Sequence, residues 1–74
     1  MKIVSWNING WRARLNDGNF DEMMKTYDPD IVCLQEIKIN KDFKIEYDGY
    51  TILSHIGDKP GYSGTAFLFK KIPN

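Results

Sequence analysis

Asp30-Ile31-Val32-Cys33-Leu34-Gln35-Glu36-Ile37-Lys38 is the stretch from which the fold is read. Four apolar residues in succession, Ile31 to Leu34, run straight into a carboxylate at Glu36 and an ammonium at Lys38. An apolar run this short, preceded by Asp28-Pro29-Asp30, predicts a strand buried on both faces. Such a strand needs other elements above and below it. Open α/β sheets bind ligands just beyond the C-terminal ends of their strands, and Glu36 falls there.

Working outward, Lys2-Ile3-Val4-Ser5-Trp6-Asn7 predicts a first strand, rich in β-branched and aromatic residues. Asn7-Ile8-Asn9-Gly10 supplies turn residues where that strand should stop. Trp11 to Leu15 has room for one helical turn with Asn9 as its cap. A break at Asn16-Asp17-Gly18 follows, and Asn19 is the expected cap of a longer helix, with Glu22 completing an approximate capping box. Phe20, Met23, Met24 and Tyr27 fall at i, i+3, i+4 and i+7, one apolar stripe. Asp28-Pro29 stops the helix, because proline pushes the preceding residue out of the right-handed α region.

Strand, helix and strand within about 35 residues make a βαβ unit, so the two strands run parallel with a right-handed crossover. Parallel strands end on the same edge of a sheet. Asn7 and Glu36 should therefore be neighbours on one rim, despite the length of chain between them. Beyond Lys38, residues 40–49 are polar and charged and read as a loop. Tyr50 to Ile56 predicts a third strand and Thr65 to Lys71 a fourth, antiparallel to the third across a Gly-rich connection. The fold class is α/β: a βαβ unit plus an antiparallel hairpin.

Composition narrows the function. Seventy-four residues make one small domain. Ten Lys plus Arg balance ten Asp plus Glu, so there is no wholesale basic surface for nucleic acid. Phosphate binding would have to come from local geometry or from a metal ion. Cys33 is the one cysteine, which excludes an internal disulfide. The first residues hold no apolar leader and no run approaches membrane-spanning length, so a soluble, cytoplasmic chain with no membrane partner is expected.

Each candidate side chain has a chemical reading and a plain one. Glu36 offers the hard oxygen that Mg²⁺ prefers, and Lys38 would help hold it ionised; otherwise it is a solvated strand end. The Asn7 amide both donates and accepts, so it suits orienting Glu36 or holding a phosphate oxygen, or else capping a turn. Asn9 reads first as a helix cap and second as a neighbour of the same pocket. Arg12 carries the fork that suits phosphate, or is a solvated helix charge. Gly61-Tyr62-Ser63-Gly64 lets backbone approach a ligand, with the Tyr62 ring set against a sugar or base, or is simply a hairpin loop. His55, the one histidine, lies inside a predicted strand and reads as a partly buried structural residue.

Taken together, three blocks resemble a known family. Ser5-Trp6-Asn7-Ile8-Asn9-Gly10-Trp11-Arg12-Ala13, then Pro29 to Lys38, then Gly61-Tyr62-Ser63-Gly64 are similar to the N-terminal part of exonuclease III-type AP endonucleases, in the endonuclease/exonuclease/phosphatase superfamily. Leu34-Gln35-Glu36 alone matches the whole superfamily, including DNase I-like nucleases and inositol polyphosphate phosphatases. The first and third blocks match its DNA-repair branch. The resemblance implies a portion of a DNase I-like four-layer α/β sandwich. Glu36 matches the family's metal-binding glutamate, and Asn7 the catalytic-site asparagine beside it. Asn9 matches a position near the metal, Lys38 a lysine close to the metal carboxylate, Arg12 and Ala13 positions touching the DNA backbone, and Gly61 and Tyr62 a DNA-contacting loop.

The implied cofactor is Mg²⁺ or Mn²⁺, and the implied substrate is duplex DNA with an abasic site or a 3′ end. The family's catalytic tyrosine, its Asp-x-Asn pair and its Asp-His pair all lie downstream of the matched region, and none has a counterpart here. The chain is therefore expected to be an N-terminal fragment, residues 1–74 of a longer catalytic domain and inactive alone. An uncovered sheet face should then favour self-association or pairing with a complementary fragment. Two alternatives are a non-catalytic module that associates or binds DNA weakly, and a phosphatase of the same superfamily.

Overall fold

A computed structural model describes residues 1–56 and 63–72. Its elements are β1 (Ile3–Asn7), α1 (Trp11–Asn16), α2 (Asn19–Tyr27), β2 (Ile31–Gln35), β3 (Tyr50–His55) and β4 (Thr65–Lys70). They form one four-stranded sheet in the order β1-β2-β4-β3. β1 runs parallel to β2, with Ile3 opposite Ile31 and Asn7 opposite Gln35. β4 is antiparallel to both β2 and β3. The expected βαβ unit and antiparallel hairpin are both present. β4 lies between β2 and β3, a placement that strand patterning does not reveal.

The β2 run is covered on one face only. Val32 and Leu34 are fully buried, whereas Ile31, Cys33 and Gln35 are half-buried. The expectation of burial on both faces is corrected for a simple reason. The helices and the segment after β2 lie against a single side of the sheet. On that side Val32, Leu34, Ala66 and Leu68 join Ile8, Trp11, Phe20, Met24, Ile37, Ile39 and Ile45 in one core. Each fully buried large side chain contributes about 1.5–3 kcal/mol. The opposite side displays Ile3, Leu53, Phe67 and Phe69, all exposed.

Three local readings also change. Gly18, in the left-handed region, occupies the cap position of α2 and has no side chain with which to cap it. Asn19 does not cap; its own N–H is bound by the Asp17 carboxylate at 2.9 Å. Asp17 reaches that donor from before the helix, so the Asn19–Glu22 box is not formed. In the stripe, Phe20 and Met24 enter the core and Met23 packs against it, but Tyr27 remains 53% exposed at the helix end. Asp28 does end α2 as proline requires, taking a left-handed conformation at φ 43°.

At the far edge of the sheet, Asp30 fastens the strands together. Its carboxylate accepts from Lys2 N at 2.8 Å, and its carbonyl accepts from Lys70 N at 2.8 Å. The bond from Lys2 holds the Asp30 carboxyl below its ordinary range. No helix among the described residues is long and apolar enough to cross a membrane.

The loop at 40–49 contributes to the core, which its polarity concealed. Tyr47 packs edge-on against Phe20 at 5.0 Å, and its hydroxyl donates to Asp21 Oδ1 at 2.7 Å. Burial, aided by the Asp21 bond and charge, pushes the Tyr47 phenol from 10.0 up to about 12. An unfolded chain ionises this phenol near its ordinary value. The stability tied to neutral Tyr47 is therefore complete below pH 10 and lost progressively between there and about 12. Melting of wild type and Tyr47→Phe across that window should converge as pH rises; a constant gap would contradict the assignment.

Candidate functional site at the β1–β2 rim

Past the ends of β1 and β2 the pairing continues in altered form. Ile8 N donates to Gln35 O at 3.0 Å, Gly10 N to Glu36 O at 2.8 Å and Trp11 N to Ile37 O at 2.8 Å. On the other side, Ile37 N donates to Gly64 O at 3.1 Å and Lys38 N to Ser63 O at 2.8 Å. Glu36 and Lys38 have φ of 54° and 51°, in the left-handed region. Each such non-glycine residue costs on the order of 1 kcal/mol or more. The backbone bonds made by residues 36–38 contribute about 1 kcal/mol apiece, and burial of Ile37 adds about 2 kcal/mol. These gains outweigh the strain.

The left-handed turn decides where Glu36 points. Strict alternation would set Glu36 on the covered face with Val32 and Leu34. Asn7 belongs to the open face with Ile3 and Ser5. Yet the Asn7 side-chain amide donates to the Glu36 carboxylate. Burial after the turn follows odd positions, with Ile37 and Ile39 in the core and Lys38 exposed. The face assignment has switched at Glu36, and the switch brings the acid round to the amide.

Two more residues complete the cluster. Lys38 Nζ donates to Asn9 Oδ1 at 2.5 Å and lies 3.9 Å from Glu36 Oε1. Asn9 does not cap α1, as its first reading had it. Gly10 takes the cap position, and Trp11 N is already bound by Ile37 O, so Asn9 is free to face the rim. The Lys38 and Glu36 side chains are 39% and 45% exposed. The cluster is thus an open, polar rim and not a buried ion pair.

The remaining candidates are less closely joined. Arg12 and Ala13 are exposed on α1, and neither hydrogen-bonds to the four rim residues among the described contacts. The Arg12 guanidinium stacks over the Phe43 ring at 5.3 Å, a cation–π contact that restrains it. Gly61 and Tyr62 lie outside the described residues. His55 ends β3 and is exposed, so it is not the partly buried residue expected. Ser63 and Gly64, read as part of a ligand-approaching stretch, support the rim instead through their carbonyls, and Ile37, which also supports it, was not among the candidates. The change of apolar phase at Glu36 was the signal that would have found Ile37. Two concavities of about 580 and 510 Å³ lie elsewhere, beside β3 and between β1 and α2.

The donor chemistry of the rim suits a hard cation. The Lys38 ammonium is itself a cation held between the Asn9 and Glu36 oxygens. Among the described residues no group of three His, Cys, Asp or Glu surrounds a common point. An ion of the Mg²⁺ class needs only one or two carboxylates if water and phosphate oxygens complete its shell. One carboxylate flanked by amides fits that requirement and would not fit a structural zinc site.

The sequence profile of the Endonuclease/Exonuclease/phosphatase family matches residues 4–73. The chain belongs to that family. It is 40% identical over 74 residues to an exodeoxyribonuclease of Bacillus subtilis, covering 99% of this chain and 29% of the relative. A DNA-(apurinic or apyrimidinic site) endonuclease of Dictyostelium discoideum is 42% identical over 78 residues, covering 100% of this chain and 21% of the relative. Among solved structures, an AP endonuclease from Leishmania major superposes with TM-score 0.78 at 35% identity, over 93% of this chain and 23% of that one. A 3′ phosphatase from Neisseria, solved with product DNA hairpin, gives TM-score 0.73 at 26% identity, over 99% of this chain and 28% of that one. The chain therefore has the α/β fold of the corresponding part of these DNase I-like structures, and it spans under a third of those relatives' length.

The Asn7–Glu36 bond gives a direct readout. Glu36→Ala should shift the Asn7 side-chain amide resonances while the backbone amides of β2 and β4 stay in place. An Asn7 amide that does not respond to Glu36→Ala would remove the bond from the account.

Proposed function

We propose that this chain is the N-terminal portion of a Mg²⁺- or Mn²⁺-dependent DNA phosphodiesterase that acts at abasic sites or 3′ ends. The observation that carries the reading is the Asn7–Glu36 contact at the C-terminal rim of two parallel strands. Relatives whose names are AP endonuclease and exodeoxyribonuclease support the substrate class.

Glu36 would hold the divalent ion through its carboxylate, with Asn9 contributing its side-chain oxygen. When bound, the ion would stabilise charge on a phosphate oxygen during in-line attack. Asn7 fixes the direction of the Glu36 carboxylate by donating to it, and so presents the other lone pairs outward. Lys38 restrains Asn9 and adds positive charge where a phosphodiester would approach. Arg12, held against Phe43, and the exposed Ala13 suit contacts to a DNA strand. Gly61 and Tyr62, which lie outside the described residues, are proposed to touch DNA. These groups bind and orient, and none of the described ones is placed to act as a base toward water.

The open sheet face supports a second reading, a non-catalytic module that associates with a copy of itself or with a complementary fragment. Leu53, Phe67 and Phe69 are 63%, 44% and 37% exposed on neighbouring strands of one face. Contiguous apolar surface of this kind favours association. A melting temperature that rises with protein concentration is expected, and a sharp concentration-independent transition of a monomer would remove this reading.

Grafting tests the nuclease reading. A Bacillus subtilis exodeoxyribonuclease carrying this chain in place of its matching segment should incise abasic duplex DNA with Mg²⁺. Glu36→Ala in the graft should lower the rate by about 100-fold or more. The 74 residues alone should show little or no turnover. A folded graft indifferent to Glu36→Ala would defeat the metal role, and strong Glu36-dependent incision by the chain alone would defeat the fragment reading.

A further inference from the structure

In the β2–β4 ladder Gln35 faces Thr65. A regular continuation would set Ile37 opposite Ser63. The observed bonds run instead from Ile37 N to Gly64 O and from Lys38 N to Ser63 O. The β2 side therefore carries one residue more than the β4 side, and the extra residue is Glu36. An inserted residue of this kind bends a strand and re-aims a side chain, as a β-bulge does.

What holds the insertion in place is Gly64. It is buried, with φ at +95°, a conformation that L side chains rarely adopt. A Cβ built there would stand 2.9 Å from Ile37 Cγ1 and 3.2 Å from His55 O. Ile37 is fully buried and His55 O is backbone, so neither has room to yield. The bare glycine lets the start of β4 close directly over Ile37. Ile37 then fills the core position that regular alternation would have given to Glu36.

We infer that Gly64 is a positioning residue for Glu36. By admitting Ile37 beneath it, Gly64 fixes the one-residue insertion that turns the Glu36 carboxylate out of the covered face and onto the Asn7 amide. The positional part stands on geometry alone. Its consequence for metal binding rests on the reading of Glu36 as the ion-binding carboxylate.

The test uses the 74-residue chain. It can be made by chemical ligation at Cys33, which allows Gly64→Ala and Gly64→D-Ala to be compared. Phe20→Leu serves as a variant destabilised away from the rim. In Gly64→Ala the Asn7 side-chain amide resonances should move to where Glu36→Ala puts them. Affinity for Mn²⁺, read by paramagnetic broadening, should fall about tenfold or more. Gly64→D-Ala accepts positive φ and directs its Cβ away from Ile37, so it should keep the Asn7 signal. Phe20→Leu should keep it too, at temperatures where the chain remains folded.

A Gly64→Ala chain with unmoved Asn7 resonances would overturn the inference. So would a folded Gly64→D-Ala chain that loses them, or a Phe20→Leu chain that loses them equally. Should Gly64→Ala not fold, the D-Ala and Phe20→Leu results still decide. Moved Asn7 resonances with unchanged Mn²⁺ affinity would uphold the positioning and count against Glu36 as the metal ligand.

Discussion

The parallel pairing of β1 with β2 is the constraint on which the rest of this structure depends. With Ile3 opposite Ile31, the strands reach their last residues together, and Asn7 and Gln35 end side by side. No antiparallel arrangement of these segments would bring the two C-terminal ends to one rim. The crossover through α1 and α2 makes the parallel order possible, and Phe20 and Met24 fasten it to the sheet. The amide of Asn7 and the acid of Glu36 then meet without any long side chain having to reach.

Strand ends alone would not have sufficed. Regular alternation would have put Glu36 under the helices, where an ionised carboxylate is costly and, among the described residues, no cation is buried to meet it. A left-handed residue at Glu36 avoids that cost at the expense of roughly 1 kcal/mol of local strain. Ile37 takes the core position, and four backbone bonds from residues 10, 11, 63 and 64 lock the turn. The site therefore combines a strained, well-fastened backbone with exposed and adaptable side chains. That division suits the DNA contact proposed above.

Much of the fold was legible because local chemistry and periodicity agreed. β-branched residues from Ile3 and from Ile31, an apolar stripe from Phe20, and Asp28-Pro29 as a stop left little freedom for the first half. The order β1-β2-β4-β3 was not legible, since Ala66 and Leu68 alternate as well on an edge strand as on a central one. Nor was the one-sided covering of β2, because continuous apolar character at Ile31 to Leu34 does not say how many layers pack on it. In the site, parallel order placed Asn7 and Glu36 on one rim, but the turn at Glu36 that brings their side chains together was not legible. Asn9 was misread as a cap because Gly10 and the Ile37 carbonyl already satisfy the start of α1. Gly64 was read as leaving room for a ligand, whereas the space it leaves is taken by Ile37, which only the packed structure reveals.

Crystals of this chain grown with Mn²⁺ would locate the ion by its anomalous scattering. The proposed ion site predicts a peak at the β1–β2 rim beside the Glu36 carboxylate, with Asn7 still donating to that carboxylate. Mn²⁺ held elsewhere, with Glu36 turned beneath the helices or separated from Asn7, would contradict it.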